Sequence, residues 1–168
     1  SNHSKIKPKD LVVCILDRPR HKNLISSVRK TGARIKLISD GDVSAVIATT
    51  IDDSGVDLYI GSGGAPEGVL AAAALRCLGG KIIGKLIIKS EDEIMRAKKS
   101  GIIDFEKVYD TNSLACGDVM FAATGVTDGT FLKGVRIYNN KARTHSIVMR
   151  SKTKTIRFIE AEHNLINK

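Results

Sequence analysis

Short apolar runs and helically spaced apolar residues alternate along the first two thirds of the chain. The run LVVCIL at 11–16 is apolar and rich in β-branched residues, which is typical of a buried strand, and Leu24, Ile25 and Val28 then recur at helical spacing. Gly32 stands where a helix commonly ends. The same pattern predicts strands at 33–39, 57–61 and 81–89 and helices at 43–51, 69–80 and 91–100.

After residue 105 the pattern changes to strand-like runs separated by Asn, Gly and Lys turns. Such runs favour antiparallel pairing, with hairpin tips at NNKA (139–142) and SKTK (151–154). Strands that alternate with helices favour parallel βαβ units. We therefore predict an α/β fold: a mixed sheet with parallel βαβ units in the first part and antiparallel strands in the second.

The length of 168 residues favours one domain. Residues 1–10 are polar and without periodicity, so we predict a tag or linker there and a folded domain over 11–168. No apolar stretch reaches the roughly 18 residues of a membrane span, and the polar N-terminus lacks the apolar region of a secretory signal. We expect a cytoplasmic protein without a membrane partner.

Charge is unevenly distributed around a net value of +9. Residues 1–36 hold ten Lys and Arg against two acids, residues 133–157 hold eight against none, and the stretch between them holds eight against fourteen. This asymmetry suits a nucleic acid, an anionic small molecule or an acidic neighbouring domain. Because aromatic residues make up 4% of the chain and Trp is absent, we expect no nucleic-acid partner.

The three cysteines stand far apart, without a CxxC pair. Cys14, Cys77 and Cys116 each fall in an apolar run. We therefore predict buried thiols rather than a zinc site or a disulfide framework.

Three successive predicted strand-to-helix turns carry conspicuous polar residues: RPRH at 18–21, DGD at 40–42 and GSGGAPEG at 61–68. In open parallel sheets, ligands bind outside the carboxyl ends of the strands, where these turns would meet. Each turn also has a structural explanation: Pro19 in a helix's first turn, Asp42 as a helix N-cap, and tight helix packing at the glycines. His21 taken alone indicates a surface or capping residue.

The recurrence of charge at one edge favours a ligand site. Arginine offers rigid donors that match phosphate oxygens, and aspartate pairs accept hydrogen bonds from sugar hydroxyls or bind a hard metal. Glu67 is an unexpected anion in a turn that otherwise suits phosphate. A divalent cation lying between the Glu67 carboxylate and a phosphate would explain this anion, since Mg²⁺ binds both kinds of group at once.

A dinucleotide site is an alternative interpretation of the glycine-rich turn. Gly61, Gly63 and Gly64 match part of the GxGxxG fingerprint, but Pro66 occupies the position of the third glycine. Glu91, which follows the next predicted strand, keeps this alternative open.

From about Leu11 to its end, this chain resembles the C-terminal half of the class II (GlpX-type) fructose-1,6-bisphosphatases. The specific pieces are RPRH, SDGDVSAVI, GSGGAPEGVLAAAALRCLGG, MFAATGVTDG and TIRFIEAEH. The resemblance implies a sugar-phosphatase-like fold and Mg²⁺- or Mn²⁺-dependent removal of the 1-phosphate of fructose 1,6-bisphosphate in gluconeogenesis. It implies substrate contacts at Arg18, Pro19, Arg20, Asp40, Gly41, Asp42 and Gly64, and a metal ligand at Glu67.

The resemblance also implies an N-terminal half that carries most of the metal carboxylates and that this chain lacks. Since one glutamate binds such a cation weakly, we expect the isolated chain to be inactive. We also predict that the full-length enzyme is a homo-oligomer. The basic segment 133–157 would face the missing acidic domain. A noncatalytic module that binds a nucleotide or a sugar phosphate remains the rival hypothesis.

Overall fold

Strands and helices alternate through the first part of the computed structural model, which describes residues 6–129 and 131–166. Short 3₁₀ turns at Pro8–Asp10 and Pro19–His21 precede the first strand and the first helix. The elements are β1 (Val12–Leu16), α1 (Lys22–Lys30), β2 (Arg34–Ile38), α2 (Asp42–Ala48), β3 (Leu58–Tyr59), α3 (Ala65–Leu78), β4 (Ile83–Lys85), α4 (Glu91–Lys99), β5 (Val108–Asp110), α5 (Thr111–Leu114), β6 (Met120–Thr124), β7 (Arg136–Tyr138), β8 (Lys141–Arg150) and β9 (Thr155–Asn164).

The first three strands form a parallel sheet in the order β2-β1-β3. The central strand β1 is the most buried of the three, as its apolar run predicts. Ile25 and Val28 of α1 pack against Val13 and Ile15 of β1. Gly32 follows α1 with φ of 79°, which confirms it as the residue that ends the helix.

The strand predicted at 81–89 does not continue the parallel sheet. Within this segment only Ile83–Lys85 form a strand, β4, which pairs antiparallel with β5 in a separate two-stranded sheet. Two features account for this difference. The neighbouring edge strand β3 is only two residues long and offers little to pair with, and the Ile82 amide donates to the Thr111 hydroxyl at 2.9 Å instead.

The antiparallel half forms a four-stranded sheet in which β8 pairs with β6 and β7 on one side and with β9 on the other. Both predicted hairpin tips are confirmed. Asn139 and Asn140 have φ of 45° and 58°, as a two-residue hairpin turn requires. The α/β class with parallel and then antiparallel strands is therefore confirmed, although the two kinds of strand lie in separate sheets rather than one mixed sheet.

Helix α3 joins the two halves through a shared core. Ala74 and Cys77 of α3 pack with Ile147 and Met149 of β8. On another side of the same helix, Ala71 and Leu75 pack with Val46 of α2. Burying a side chain such as Ile147 or Met149 contributes about 1.5–3 kcal/mol, so this contact fixes the helix on the sheet.

Two of the three cysteines are buried, as predicted. Burial raises the pKa of the Cys14 and Cys77 thiols. Cys116 is exposed, contrary to the prediction, because it lies in a turn beside α5 whose backbone carbonyls at Ala115 and Gly117 bind Arg76. In the described part of the chain, every helix is too short or too polar to cross a membrane.

Candidate functional site

The RPRH segment, 18–21, follows the end of β1 and is called the arginine loop. Arg20 reaches across to the glycine-rich loop, where its Nε and Nη2 donate to the Ser62 carbonyl at 3.0 and 2.7 Å. Arg18 is exposed, and its Nη1 makes a long contact of 3.4 Å with the Asp17 carbonyl. The two arginines therefore have different surroundings: Arg20 is held by the protein, whereas most of the donors of Arg18 face solvent.

His21 is expected from the sequence to be a surface or capping residue, but it is buried, with an exposed fraction of 2%. It occupies the N-cap position of α1, although its side chain makes no capping hydrogen bond there. Its Nδ1 lies 2.8 Å from the Leu16 carbonyl oxygen, and its Nε2 lies 3.0 Å from the Ser62 amide nitrogen. The correction has a physical reason. The 3₁₀ turn directs this side chain between the end of β1 and the glycine-rich loop, where both ring nitrogens find partners.

In the DGD turn, the N-cap of α2 is not Asp42, contrary to the structural explanation that the sequence offers for this turn. Gly41, with φ of 78°, is the N-cap of α2, and Asp42 is the first helical residue. Asp42 accepts a hydrogen bond from the Val43 amide at 2.9 Å rather than capping the helix. Asp40 is exposed, and Gly41 separates it from Asp42 at the sheet edge.

The glycine-rich loop is flanked by two of the three acidic candidates, Asp42 and Glu67. A methyl group added at Gly63 would lie 3.3 Å from Oδ2 of Asp42, and one added at Gly64 would overlap the Glu67 carboxylate. Glu67 is exposed in the first turn of α3, where a negative charge complements the helix dipole. The absence of a side chain at Gly64 therefore gives the Glu67 carboxylate its position.

Tyr59 is a member of this edge that sequence analysis missed. Desolvation and, after it, the charge of Asp42 raise its pKa to about 12. A methyl group added at Gly61 would lie 3.0 Å from the Tyr59 hydroxyl and 3.5 Å from Cε1 of His21. Its place at the end of β3, directly before the glycine-rich loop, is the sequence signal that could have indicated it.

Among the residues that the structure describes, the charged candidates have no ion-pair partner. Five ion pairs form among residues 6–129 and 131–166, and none includes Arg18, Arg20, Asp40, Asp42 or Glu67. Unpaired charges of both signs around one loop can bind a ligand that carries anionic and hydroxyl groups.

The same residues do not make a complete metal site. In the described ranges, no three His, Cys, Asp or Glu side chains come together where they could hold an ion. Glu67 and Asp42 flank one loop and could offer oxygen ligands, but Mg²⁺ prefers six. A cation here would need further ligands from outside these residues, so we assign no chemical step to it.

The structure thus brings Arg20, Asp42, Gly64 and Glu67 to one glycine-rich loop. Among the described residues, no hydrogen bond joins Arg18 or Asp40 to that loop, although both lie in turns at the carboxyl ends of neighbouring parallel strands. The dinucleotide alternative loses support, because β4, the strand before Glu91, lies outside the parallel sheet.

A charged loop cluster at the carboxyl ends of parallel strands defines a class of ligand-binding α/β domains. Within that class, the family model described as bacterial fructose-1,6-bisphosphatase, glpX-encoded, matches residues 1–163. The chain belongs to this family.

Curated relatives agree with this assignment. The chain is 47% identical to a protein of Trichodesmium erythraeum (strain IMS101) and 46% identical to one of Synechococcus elongatus, in each case over 92% of this chain. Both are named D-fructose 1,6-bisphosphatase class 2/sedoheptulose 1,7-bisphosphatase. The matches cover 49% and 48% of these proteins, so the chain spans about half the length of the curated relatives it matches.

Proposed function

We propose that this chain is the sugar-phosphate-contacting half of a fructose-1,6-bisphosphate phosphatase. The observation that carries the proposal is the convergence of Arg20, Asp42 and Glu67 on one glycine-rich loop, with no ion pairs to these side chains within the described residues. Family membership and the names of the relatives supply the reaction class. The whole protein would hydrolyse a phosphate monoester of the sugar.

Each candidate has a role in the proposal. Arg18 and Arg20 bind the phosphate that is not cleaved, with Pro19 fixing the backbone between them. Asp40 and Asp42 accept hydrogen bonds from sugar hydroxyls, and Gly41 allows the turn that separates them. Gly64 lets the ligand approach the loop backbone closely.

Glu67 has a separate role. We propose that it supplies one oxygen ligand to Mg²⁺ or Mn²⁺, with the remaining ligands in the half of the relatives' length that this chain does not match. Such a divided site makes catalysis depend on both halves, because a single carboxylate holds such a cation weakly. The chain alone is then expected to bind substrate without turnover.

The deciding experiment measures binding and phosphate release separately. Calorimetric titration of this chain with fructose 1,6-bisphosphate should show binding, while phosphate release with Mn²⁺ or Mg²⁺ stays at background. Adding the unmatched half of the Trichodesmium erythraeum relative should restore release, and Glu67→Gln should abolish the restored release. Restored release that Glu67→Gln leaves within a few-fold would contradict the metal role.

The rival hypothesis, a noncatalytic binding module, is favoured by the incomplete metal site. Thermal shift separates the two functions, since a ligand raises the melting temperature of the state that it binds. A nucleotide that stabilises the chain while fructose 1,6-bisphosphate does not would favour the rival. The absence of a nucleic-acid partner, the homo-oligomeric state and the cytoplasmic location remain predictions.

A further inference from the structure

The carbonyl, amide and hydroxyl of Ser62 all lie within hydrogen-bonding distance of the arginine loop. Its carbonyl accepts from Nε and Nη2 of Arg20, and its amide donates to Nε2 of His21 at 3.0 Å. Its hydroxyl lies 3.1 Å from the same Nε2. We call Arg20, His21 and Ser62 the Ser62 clamp. It joins two loops whose residues are 41 positions apart in the chain.

The hydrogen bonds of the clamp define one form of the imidazole. A backbone carbonyl can only accept, so Nδ1 must carry the proton that is donated to Leu16. A backbone amide can only donate, so Nε2 must present a lone pair to Ser62. His21 is therefore neutral with the proton on Nδ1, an assignment made from the hydrogen-bond partners.

We infer that His21 is a positioning residue of the proposed sugar-phosphate site, acting through Ser62 on the glycine-rich loop. This inference rests on the proposed function. Ser62 lies between Gly61 and Gly63, where an added methyl group would lie 3.0 Å from the Tyr59 hydroxyl and 3.3 Å from Oδ2 of Asp42, respectively. Fixing Ser62 therefore fixes the loop backbone that a ligand would approach, and it also sets the side of Arg20 that faces outward.

Two side-chain amides at position 21 separate this role from simple packing. In His21→Asn, the amide nitrogen takes the place of Nδ1 and keeps the bond to Leu16, but it does not reach Ser62. In His21→Gln, the longer side chain places an amide oxygen near the position of Nε2, where it can accept from the Ser62 amide. The His21 side chain makes two hydrogen bonds to backbone groups, one with Leu16 and one with Ser62. Each variant loses one of them, and both variants are uncharged at this position.

Calorimetric titration with fructose 1,6-bisphosphate should distinguish the two variants. We expect His21→Gln to stay within about three-fold of the unmodified chain and His21→Asn to bind at least ten-fold more weakly, with similar falls in melting temperature for both. Equal affinities of the two variants would overturn the inference and leave the proposed function standing. Absence of binding by the unmodified chain would instead contradict the proposed function.

Two readouts do not depend on a ligand. Hydrogen exchange of the Ser62 amide should be slow in the unmodified chain and in His21→Gln, and fast in His21→Asn. Nitrogen NMR of the unmodified chain should show His21 with a protonated Nδ1 and an unprotonated Nε2. A proton on Nε2, or Ser62 exchange that His21→Asn leaves unchanged, would overturn the positioning role even if the asparagine variant binds poorly or fails to fold.

Discussion

The loops at the edge of the parallel sheet and the four-stranded antiparallel sheet use their charged residues in different ways. Around the glycine-rich loop, Arg20 donates to a backbone carbonyl, and Asp42 and Glu67 form no ion pair with the described residues. In the antiparallel sheet, by contrast, basic and acidic side chains form ion pairs: Lys141 and Arg143 both pair with Glu162.

This difference changes the interpretation of the basic segment 133–157. Four of its eight cations, Arg136, Lys141, Arg143 and Lys152, form ion pairs with acids that lie outside the segment, namely Asp128, Glu162 and Asp118. Part of the charge asymmetry in the sequence is therefore compensated in the fold. Charge counts along the chain therefore do not show which charges are paired in the fold.

The largest expected effect is a difference in the free energy of unfolding between two variants that carry the same substitution, glycine to alanine, one in each region. Gly125→Ala should lower the free energy of unfolding by about 3 kcal/mol, because the new methyl would lie 2.9 Å from the Lys133 carbonyl carbon in a buried position. Gly64→Ala should change it by less than about 0.5 kcal/mol. Its φ of −68° suits alanine, and the group in the way is the exposed end of Glu67.

Urea denaturation measures both variants. Equal losses of stability would mean that the Glu67 carboxylate is as rigid as the backbone at Lys133, contrary to the comparison. The rotation of Glu67 away from the new methyl should appear instead as a shift of its side-chain carboxyl resonance in NMR spectra.

The next effect concerns affinity. Arg18→Ala should weaken fructose 1,6-bisphosphate binding by about 10- to 100-fold, because a hydrogen bond to a charged group contributes about 1.5–3 kcal/mol. Arg136→Ala is the matched control, since it also removes one positive charge, and it should leave the affinity within about two-fold because Arg136 is already paired with Asp128. Equal losses in calorimetric titrations would show that only net charge matters.

A smaller effect tests whether Asp42 and Tyr59 share the edge in solution. Asp42→Asn should lower the pKa of Tyr59 from its value of about 12, because the Asp42 charge is the second cause of the shift after desolvation. Spectrophotometric titration measures the change, with Tyr59→Phe identifying the transition. An unchanged pKa in Asp42→Asn would place the two side chains apart.

The same shift affects stability at high pH. The folded chain holds the Tyr59 proton more tightly than the unfolded chain does. The resulting stabilisation is complete below 10.0, the ordinary pKa of a tyrosine, and is lost as pH rises through about 12. Tyr59→Phe should therefore lose less stability across this range than the unmodified chain does.

The smallest effect is expected at Glu162. Hydrogen bonds from Lys141 and then Tyr138 lower its pKa from 4.5 to about 2. Its contribution to stability is present above pH 4.5 and is lost as pH falls through about 2, and it is small because the side chain is exposed to solvent. The difference in melting temperature between the unmodified chain and Glu162→Gln should disappear as pH falls from 4.5 to about 2. A constant difference would contradict the hydrogen bonds of Glu162 with Lys141 and Tyr138.

The sequence predicted the first βαβ unit well because its signals are local. A β-branched apolar run, helically spaced Leu24, Ile25 and Val28, and Gly32 each act within a few residues. The two hairpins are predictable for the same reason, since the Asn139 and Asn140 pair directly favours a two-residue turn.

The errors arose where distant residues decide the structure. The segment 81–89 has the composition of a strand, but its pairing depends on the length of β3 and on Thr111. His21 is buried because Leu16 and Ser62 offer it partners, and no local pattern reports the Ser62 contact across 41 positions. The three charged loops were found from the sequence because parallel strands bring their carboxyl ends to one edge.

Helix α3 has a consequence for how the domain melts. Leu75 contributes to the packing beside the parallel sheet, and Ala74 and Cys77 contribute to the packing against the antiparallel sheet. Neither half can open without uncovering one side of this helix. Heating should therefore give a single calorimetric peak, with the glycine-rich loop losing its order at the same temperature as the hairpins of the antiparallel sheet.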